Sequence, residues 1–189
     1  MEIALLGPLE VRDGSGRGVA LTGGKQRLLL ARLLLETPAG VSADRLVDTL
    51  WSEALPTDPA GALRTQVSRL RAVLVEAGAP DGVLERAAGG YRLSLEGIDL
   101  DVRRFEACTE RARLAAAAGT AEARLRHLDE ALALWRGPAW AEFTYDLAFL
   151  GHARSLAELH WGAREARIDA LIEAGRLAEA ASGARLLLQ

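Results

Sequence analysis

A single cysteine, Cys108, cannot form an internal disulfide, which excludes the stapled scaffold of a small secreted domain and fits a reducing, cytoplasmic setting. No apolar run approaches the roughly 20 residues of a membrane-spanning helix. Acidic Glu2 and the lack of a basic flank argue against a signal peptide, so neither secretion nor a membrane partner is expected. An excess of positive charge is missing too: 23 Lys and Arg face 26 Asp and Glu, for a net charge of -3. Any charge-driven contact must therefore be local. Lysine is almost absent, with Lys25 alone against 22 arginines. Disorder is excluded by what remains, because half of the 189 residues are apolar and can bury a sizeable core.

The sequence is equally short of catalytic constellations. Gly23-Gly24-Lys25 is followed by Gln26 where a phosphate-binding loop needs Ser or Thr, and Val19 stands six residues before Lys25 where that loop needs Gly. Gly14, Gly16 and Gly18 lie between two strand-like stretches, not between a strand and a helix, so they read as a turn and not as a dinucleotide fingerprint. His127, His152 and His160 have no metal-ligand spacing and no nucleophilic serine beside them, and Cys108 sits on an apolar helical stripe. No enzyme activity, metal or cofactor is expected.

The periodicity divides the chain in two. Ile3 to Leu6, Leu9 to Arg12 and Val19 to Leu21 predict a small antiparallel sheet. Thr22 predicts the cap of a first helix that ends before Pro38, and Ser42 that of a short second helix with Leu46, Val47 and Leu50 inward and Trp51 at its end. Asp58-Pro59 predicts the start of a third helix running to about Glu76. Val83 to Arg86 and Tyr91 to Leu95, joined through Ala87-Ala88-Gly89-Gly90, predict a hairpin. From about Asp101 only helical patterns follow. Phe105, Cys108, Ala112 and Ala115 mark one helix, and Leu125, Leu128, Leu132 and Trp135 the next, stopped by Gly137-Pro138. Leu156, Leu159, Ala163, Ala166 and Ala170 mark a longer helix, and Leu177, Ala181, Ala184 and Leu188 the last. The expected architecture is mostly α with a small β component: a domain over residues 1–96, then all-α hairpins of tetratricopeptide type over 97–189. The last helix meets no breaker before Gln189, which predicts a natural continuation.

The third helix stands apart electrostatically. Between Pro59 and Val75 it has no acidic residue but carries Arg64, Arg69 and Arg71. At 100° per residue Leu63, Val67, Leu70 and Leu74 fall within about 60° of one another and face the core, with Thr65, Arg69 and Ala72 opposite. A face with one long donor-rich side chain between small residues suits a DNA major groove, with Arg64, Gln66, Ser68 and Arg71 flanking it where phosphates would lie. A solvated helix with a few arginines is the plainer reading of the helix taken alone.

Its surroundings favour the first reading. A short helix, a turn, a basic helix and a hairpin follow the order of a winged helix-turn-helix. Leu21-Thr22, Leu46 to Trp51, Val67-Ser68-Arg69-Leu70-Arg71 and Gly90-Tyr91-Arg92 resemble the output domain of OmpR-type response regulators. With Gly24-Lys25-Gln26-Arg27, the Asp99 to Phe105 junction and Ala133-Leu134-Trp135-Arg136-Gly137, nearly the whole chain resembles the SARP-type antibiotic regulators, with their bacterial transcriptional activation domain.

That resemblance implies a DNA-binding transcription activator, often of a secondary-metabolite gene cluster. By the same resemblance Arg69 and Thr65 face bases, and Gln66 and Arg71 contact phosphates. Arg64, Ser68, Trp51 and Lys25 complete the set expected at the DNA backbone, and Arg86, Gly89, Gly90, Tyr91 and Arg92 form the wing. Where some relatives place an arginine in the minor groove this chain has Ala87, leaving Arg86 or Arg92 to substitute. The implied partners are double-stranded promoter DNA with direct repeats, RNA polymerase holoenzyme and a second protomer bound head to tail. The rival reading is a scaffold that uses the same folds to bind proteins.

Overall fold

Seven short strands and seven α-helices are laid out along residues 1–87 and 89–187, which are the residues described by the computed structural model. In chain order these are β1 (Glu2–Ala4), β2 (Glu10–Arg12), β3 (Gly18–Val19), α1 (Gly24–Leu35), β4 (Val41–Ser42), α2 (Ala43–Leu50), α3 (Pro59–Glu76), β5 (Leu84–Ala87), β6 (Gly90–Leu93) and β7 (Asp99–Leu100). Four helices follow, α4 (Asp101–Ala117), α5 (Ala121–Leu132), α6 (Leu147–Glu173) and α7 (Leu177–Leu187), with a 3-10 turn at Ala141–Phe143. The fold is thus mostly helical with a small sheet component. It separates into two units: Met1–Ile3 with Leu9–Asp99, and Ala4–Pro8 with the residues from Leu100 onward.

In the first unit, strands line up in the order β3-β2-β1-β7, and β4-β6-β5 form a second sheet. Asp13 shapes the glycine turn between β2 and β3 by accepting from the Ser15 and Arg17 N–H groups at 2.9 and 3.1 Å, as a plain turn requires. The core joins the leucines of α1 (Leu29, Leu30, Leu33) to Leu46 of α2, to Leu63, Leu70 and Leu74 of α3, and to Leu84 and Leu93 of the hairpin. Helix α3 begins as its sequence dictates, with the Asp58 carboxylate accepting from Gly61 N–H at 2.8 Å and Pro59 in the first turn. Ser42 likewise caps α2 by accepting from Arg45 N–H.

Helix α1 corrects the expectation of a Thr22 cap. Its cap is Gly23, at φ 93°, a left-handed conformation that favours glycine. Thr22 lies one residue earlier and donates through N–H and hydroxyl to Gln26 Oε1 at 2.9 and 3.1 Å. Gln26, 3% exposed, thus reaches back past the cap to the residue before it, one position beyond the N-cap N–H that a capping box would bond. The strands β4 and β7 were not anticipated. Each is only two residues long, too short to leave a periodic signal.

The second unit stacks its helices in sequence, α4 on α5, α5 on α6 and α6 on α7. The buried positions of α6 include Phe149, Leu156, Ala163 and Ala170, seven residues apart, which keeps them on one stripe of the helix. Three expected positions fall elsewhere. Leu159 is 49% exposed, and in α7 Ala180 is buried while Leu177 and Ala181 are exposed, so that helix is turned by about one residue from its expected phase. Leu188, expected on the same face, lies outside the described residues. Trp135 follows α5 and does not line it, because the helix stops at Leu132, ahead of Gly137-Pro138. Its ring stacks on His160 at 4.1 Å and meets Phe105 edge-on at 5.5 Å.

Ala4–Pro8 is held in this unit by two charged residues. Asp101, 2% exposed, accepts from the Leu5 and Leu6 N–H groups at 2.8 and 2.9 Å. Arg136 approaches the same carboxylate at 3.6 Å, and donates from its backbone to Leu6 O at 2.7 Å and from its guanidinium to Pro8 O at 3.1 Å. Burial pushes the Asp101 carboxyl above its ordinary 3.8, against the pull of the Leu6 and Leu5 N–H groups and of Arg136.

Candidate nucleic-acid interface

Helix α3 buries Leu63, Val67, Leu70 and Leu74, the four positions expected from its 3.6-residue period. That burial turns Thr65 and Arg69 outward, with Arg64 and Ser68 beside them, all exposed, and leaves Gln66 half-buried at the margin. Arg69 makes no hydrogen bond or ion pair among the described residues, so its five N–H donors remain available. The Thr65 hydroxyl is engaged: it donates to Gly61 O at 3.0 Å, one turn back along the helix. Thr65 therefore has its own donor proton tied down beside Arg69.

Arg71 differs from its neighbours. Its Nε and Nη2 donate to the Leu84 carbonyl at 3.1 and 2.8 Å, tying the middle of α3 to the first residue of β5. The side chain expected to contact phosphate is thus also a brace between helix and hairpin. Periodicity could not reveal this, since the partner is a backbone carbonyl 13 residues away.

Lys25 and Trp51 come together at a distance of 26 residues along the chain. The Lys25 ammonium lies 4.8 Å from the centre of the Trp51 ring, a cation–π contact that joins the first turn of α1 to the end of α2. Both had been assigned to one surface, yet nothing in the sequence indicated that they touch.

The hairpin residues divide by role. Gly90 is required by close approach, because a Cβ there would lie 1.9 Å from Val41 O, where β6 runs against β4. Tyr91 is 5% exposed and supports the hairpin from within, with the Arg86 guanidinium over its ring at 6.0 Å. Arg92 closes an ion pair with Glu85, its cross-strand partner, at 2.6 Å. Opposite charges directly across a predicted hairpin were the overlooked signal for that pair. Gly89 takes φ 79° at the turn, and Ala88 before it lies outside the described residues.

No group of His, Cys, Asp and Glu among the described residues is arranged to hold a metal ion, and none of the described helices is long and apolar enough to cross a membrane.

Comparison with known proteins gives this surface a context. Residues 100–189 match the model of the bacterial transcriptional activator domain. The chain is 37% identical over 178 residues to the transcriptional regulatory protein EmbR of Mycobacterium tuberculosis, covering 93% of this chain and 45% of that protein. It is 34% identical over 184 residues to the transcriptional regulator RedD of Streptomyces coelicolor, covering 95% and 52%. The solved structure of M. tuberculosis EmbR in complex with a low affinity phosphopeptide is similar with a TM-score of 0.86 at 34% identity, over 98% of this chain and 49% of that one. The chain spans about half the length of these relatives.

Proposed function

Because the chain belongs to the SARP-type family of transcriptional regulators, we propose that it binds promoter DNA at specific sequences and activates transcription, reading bases through α3. In this reading α2, α3 and the β5–β6 hairpin act as a winged helix-turn-helix, and the stacked helices from Asp101 onward act as a tetratricopeptide-like activation module. The observation that carries the proposal is the outer face of α3, where Arg69 is exposed and unpaired in a helix without an acidic residue between Pro59 and Val75. An arginine so placed suits bidentate contact with a guanine edge in the major groove. Ser68 and Gln66 lie at the sides of that face, suited to the phosphates along the groove. Lys25 and Trp51 add a basic group and a donor at the adjoining helix ends.

The resemblance to OmpR-type and SARP-type regulators implies head-to-tail protomers on direct repeats, a heterologous contact in which each protomer uses two different patches. Each protomer then needs only to place its recognition helix on the same side of the duplex as its neighbour's, one helical turn or about 10 to 11 base pairs along. The helical unit would meet RNA polymerase holoenzyme, a neighbouring protomer or both, with control of a secondary-metabolite cluster as the setting.

The test is selection of bound sites from random duplex DNA. Enrichment of a direct repeat is expected, and inserting about five base pairs between its halves should abolish cooperative binding, while a full-turn insertion restores it. Recovery of no motif would refute sequence-specific binding, and an inverted repeat would refute the head-to-tail arrangement.

A further inference from the structure

The hairpin poses a question that the outer face of α3 does not answer: what Arg86 does beside Ala87, where some relatives carry a minor-groove arginine. Arg86 lines a recess of about 440 Å³ between the hairpin and the first turns of α2 and α3, and the arginine facing it is Arg64. These two are the only charged residues lining that recess among the described residues. The rest of its lining is uncharged: Ala43 from α2, Ala60 from α3 and Gly89 from the turn leave room beside the larger, buried Leu63 and Tyr91, so a charged visitor meets only the two guanidinium groups as charges.

Both guanidinium groups can turn toward such a visitor. Arg64 has only Asp58 nearby, at 3.9 Å, in a pair whose side chains are 59% and 70% exposed, an arrangement that contributes little in water. Arg86 rests over the buried Tyr91 ring, which limits its directions without occupying its donors. Arg92, the hairpin's other arginine, is held by Glu85.

We propose that Arg64 and Arg86 close on one and the same phosphate of the DNA backbone, so that the hairpin grips the duplex without reading it. The inference rests on the DNA-binding reading above. With α3 in a major groove and the hairpin alongside, the ridge of DNA between them is the sugar–phosphate strand that separates major from minor groove. A recess of uncharged lining flanked by two arginines suits that ridge, as planar guanidinium forks suit phosphate oxygens. Specificity is then confined to the major groove, and the hairpin contributes affinity that depends on salt.

Three measurements test the clamp on the full chain, the first using the selected duplex and a scrambled one. Because salt dependence counts neutralised phosphates, Arg64→Ala or Arg86→Ala alone should weaken binding to both duplexes several-fold while leaving the slope of log affinity against log salt nearly unchanged, and the double variant should lower the slope by about one unit. A fall of about two units in the double variant would place the arginines on separate phosphates and overturn the proposal. On a series of duplexes, each with one phosphate replaced by an uncharged methylphosphonate, one position should abolish the effect of both single substitutions; two different positions would overturn it. If Arg86→Ala alters the response to inosine-for-guanine replacement, which removes only the minor-groove amino group, Arg86 reads the minor groove instead. A chain that binds no duplex defeats the DNA-binding reading and the clamp together, whereas binding with the two effects on separate phosphates defeats the clamp alone.

Discussion

In the unit that carries α3, Arg69 leaves its donors to solvent and Arg64 has only a distant, exposed carboxylate, whereas in the helical unit Arg124, Arg167 and Arg176 bind carboxylates. Arg124 pairs with Glu173 at 2.8 Å and Arg167 with Asp129, both joining one helix to another, and Arg176 pairs with Glu179 at 2.7 Å. The same residue type thus joins helices at Arg124 and Arg167 and is left available on the outer face of α3. What separates the two cases is the supply of acid: the helical unit interleaves Asp and Glu with its arginines, while α3 has none between Pro59 and Val75. An unpaired arginine on a rigid helix keeps its donors ready for a ligand, and that is the physical sense in which α3 is a candidate interface.

The largest effect is expected from removing what holds α3 in phase. Leu70 is fully buried, and Leu70→Ala should cost about 2 to 5 kcal/mol of stability, read as a lower denaturant midpoint. An unchanged midpoint would shift the phase of the helix and move Arg69 off the outer face. In the helical unit the corresponding test is Asp101→Ala, which leaves the Leu5 and Leu6 N–H groups without their acceptor and should cost about 2 to 4 kcal/mol. The pH dependence has a definite sign. With its pKa raised on folding, the Asp101 carboxyl favours the fold most at acid pH, and that contribution is lost as pH rises through the folded pKa. Asp101→Asn should remove that slope in denaturation curves recorded from pH 4 upward.

Arg71 stands on the basic helix yet behaves as the paired arginines do. Arg71→Ala should lower stability by about 1 kcal/mol through loss of the Leu84 contact, in addition to any loss of DNA affinity. A variant with unchanged stability and a salt slope reduced by about one unit would make it a phosphate contact alone. The smallest effect is expected from Thr65→Val. With the hydroxyl bound to Gly61 O, replacing it by a methyl group should change DNA affinity by less than about 0.5 kcal/mol in titrations.

Much of this was legible in the sequence because it is local or periodic. Asp58-Pro59 specified the start of α3, and the spacing of Leu63, Val67, Leu70 and Leu74 specified its buried face. What was not legible depends on contacts between distant segments. The Thr22–Gln26 bond displaced the cap of α1 by one residue, and β4 exists because Val41 and Ser42 meet Tyr91 and Gly90. Alanine-rich α7 misled for another reason: with small residues on every side, its inner face has no sharp periodic mark, so Ala180 and not Leu177 turned inward. At the candidate interface, exposure followed from phase and the Glu85–Arg92 pair from hairpin register, whereas the partners of Arg71 and Lys25 required the fold.

Whether the unpaired arginine of α3 reads sequence is decided by the ratio of affinities for the selected duplex and a scrambled one, measured at fixed salt with Arg69 and with Arg69→Ala. The substitution should lower this ratio by about 1 to 3 kcal/mol, roughly 5- to 150-fold, with little change in affinity for the scrambled duplex. An equal loss on both duplexes, with the ratio preserved, would make Arg69 a phosphate contact and contradict the assignment of base reading to this face.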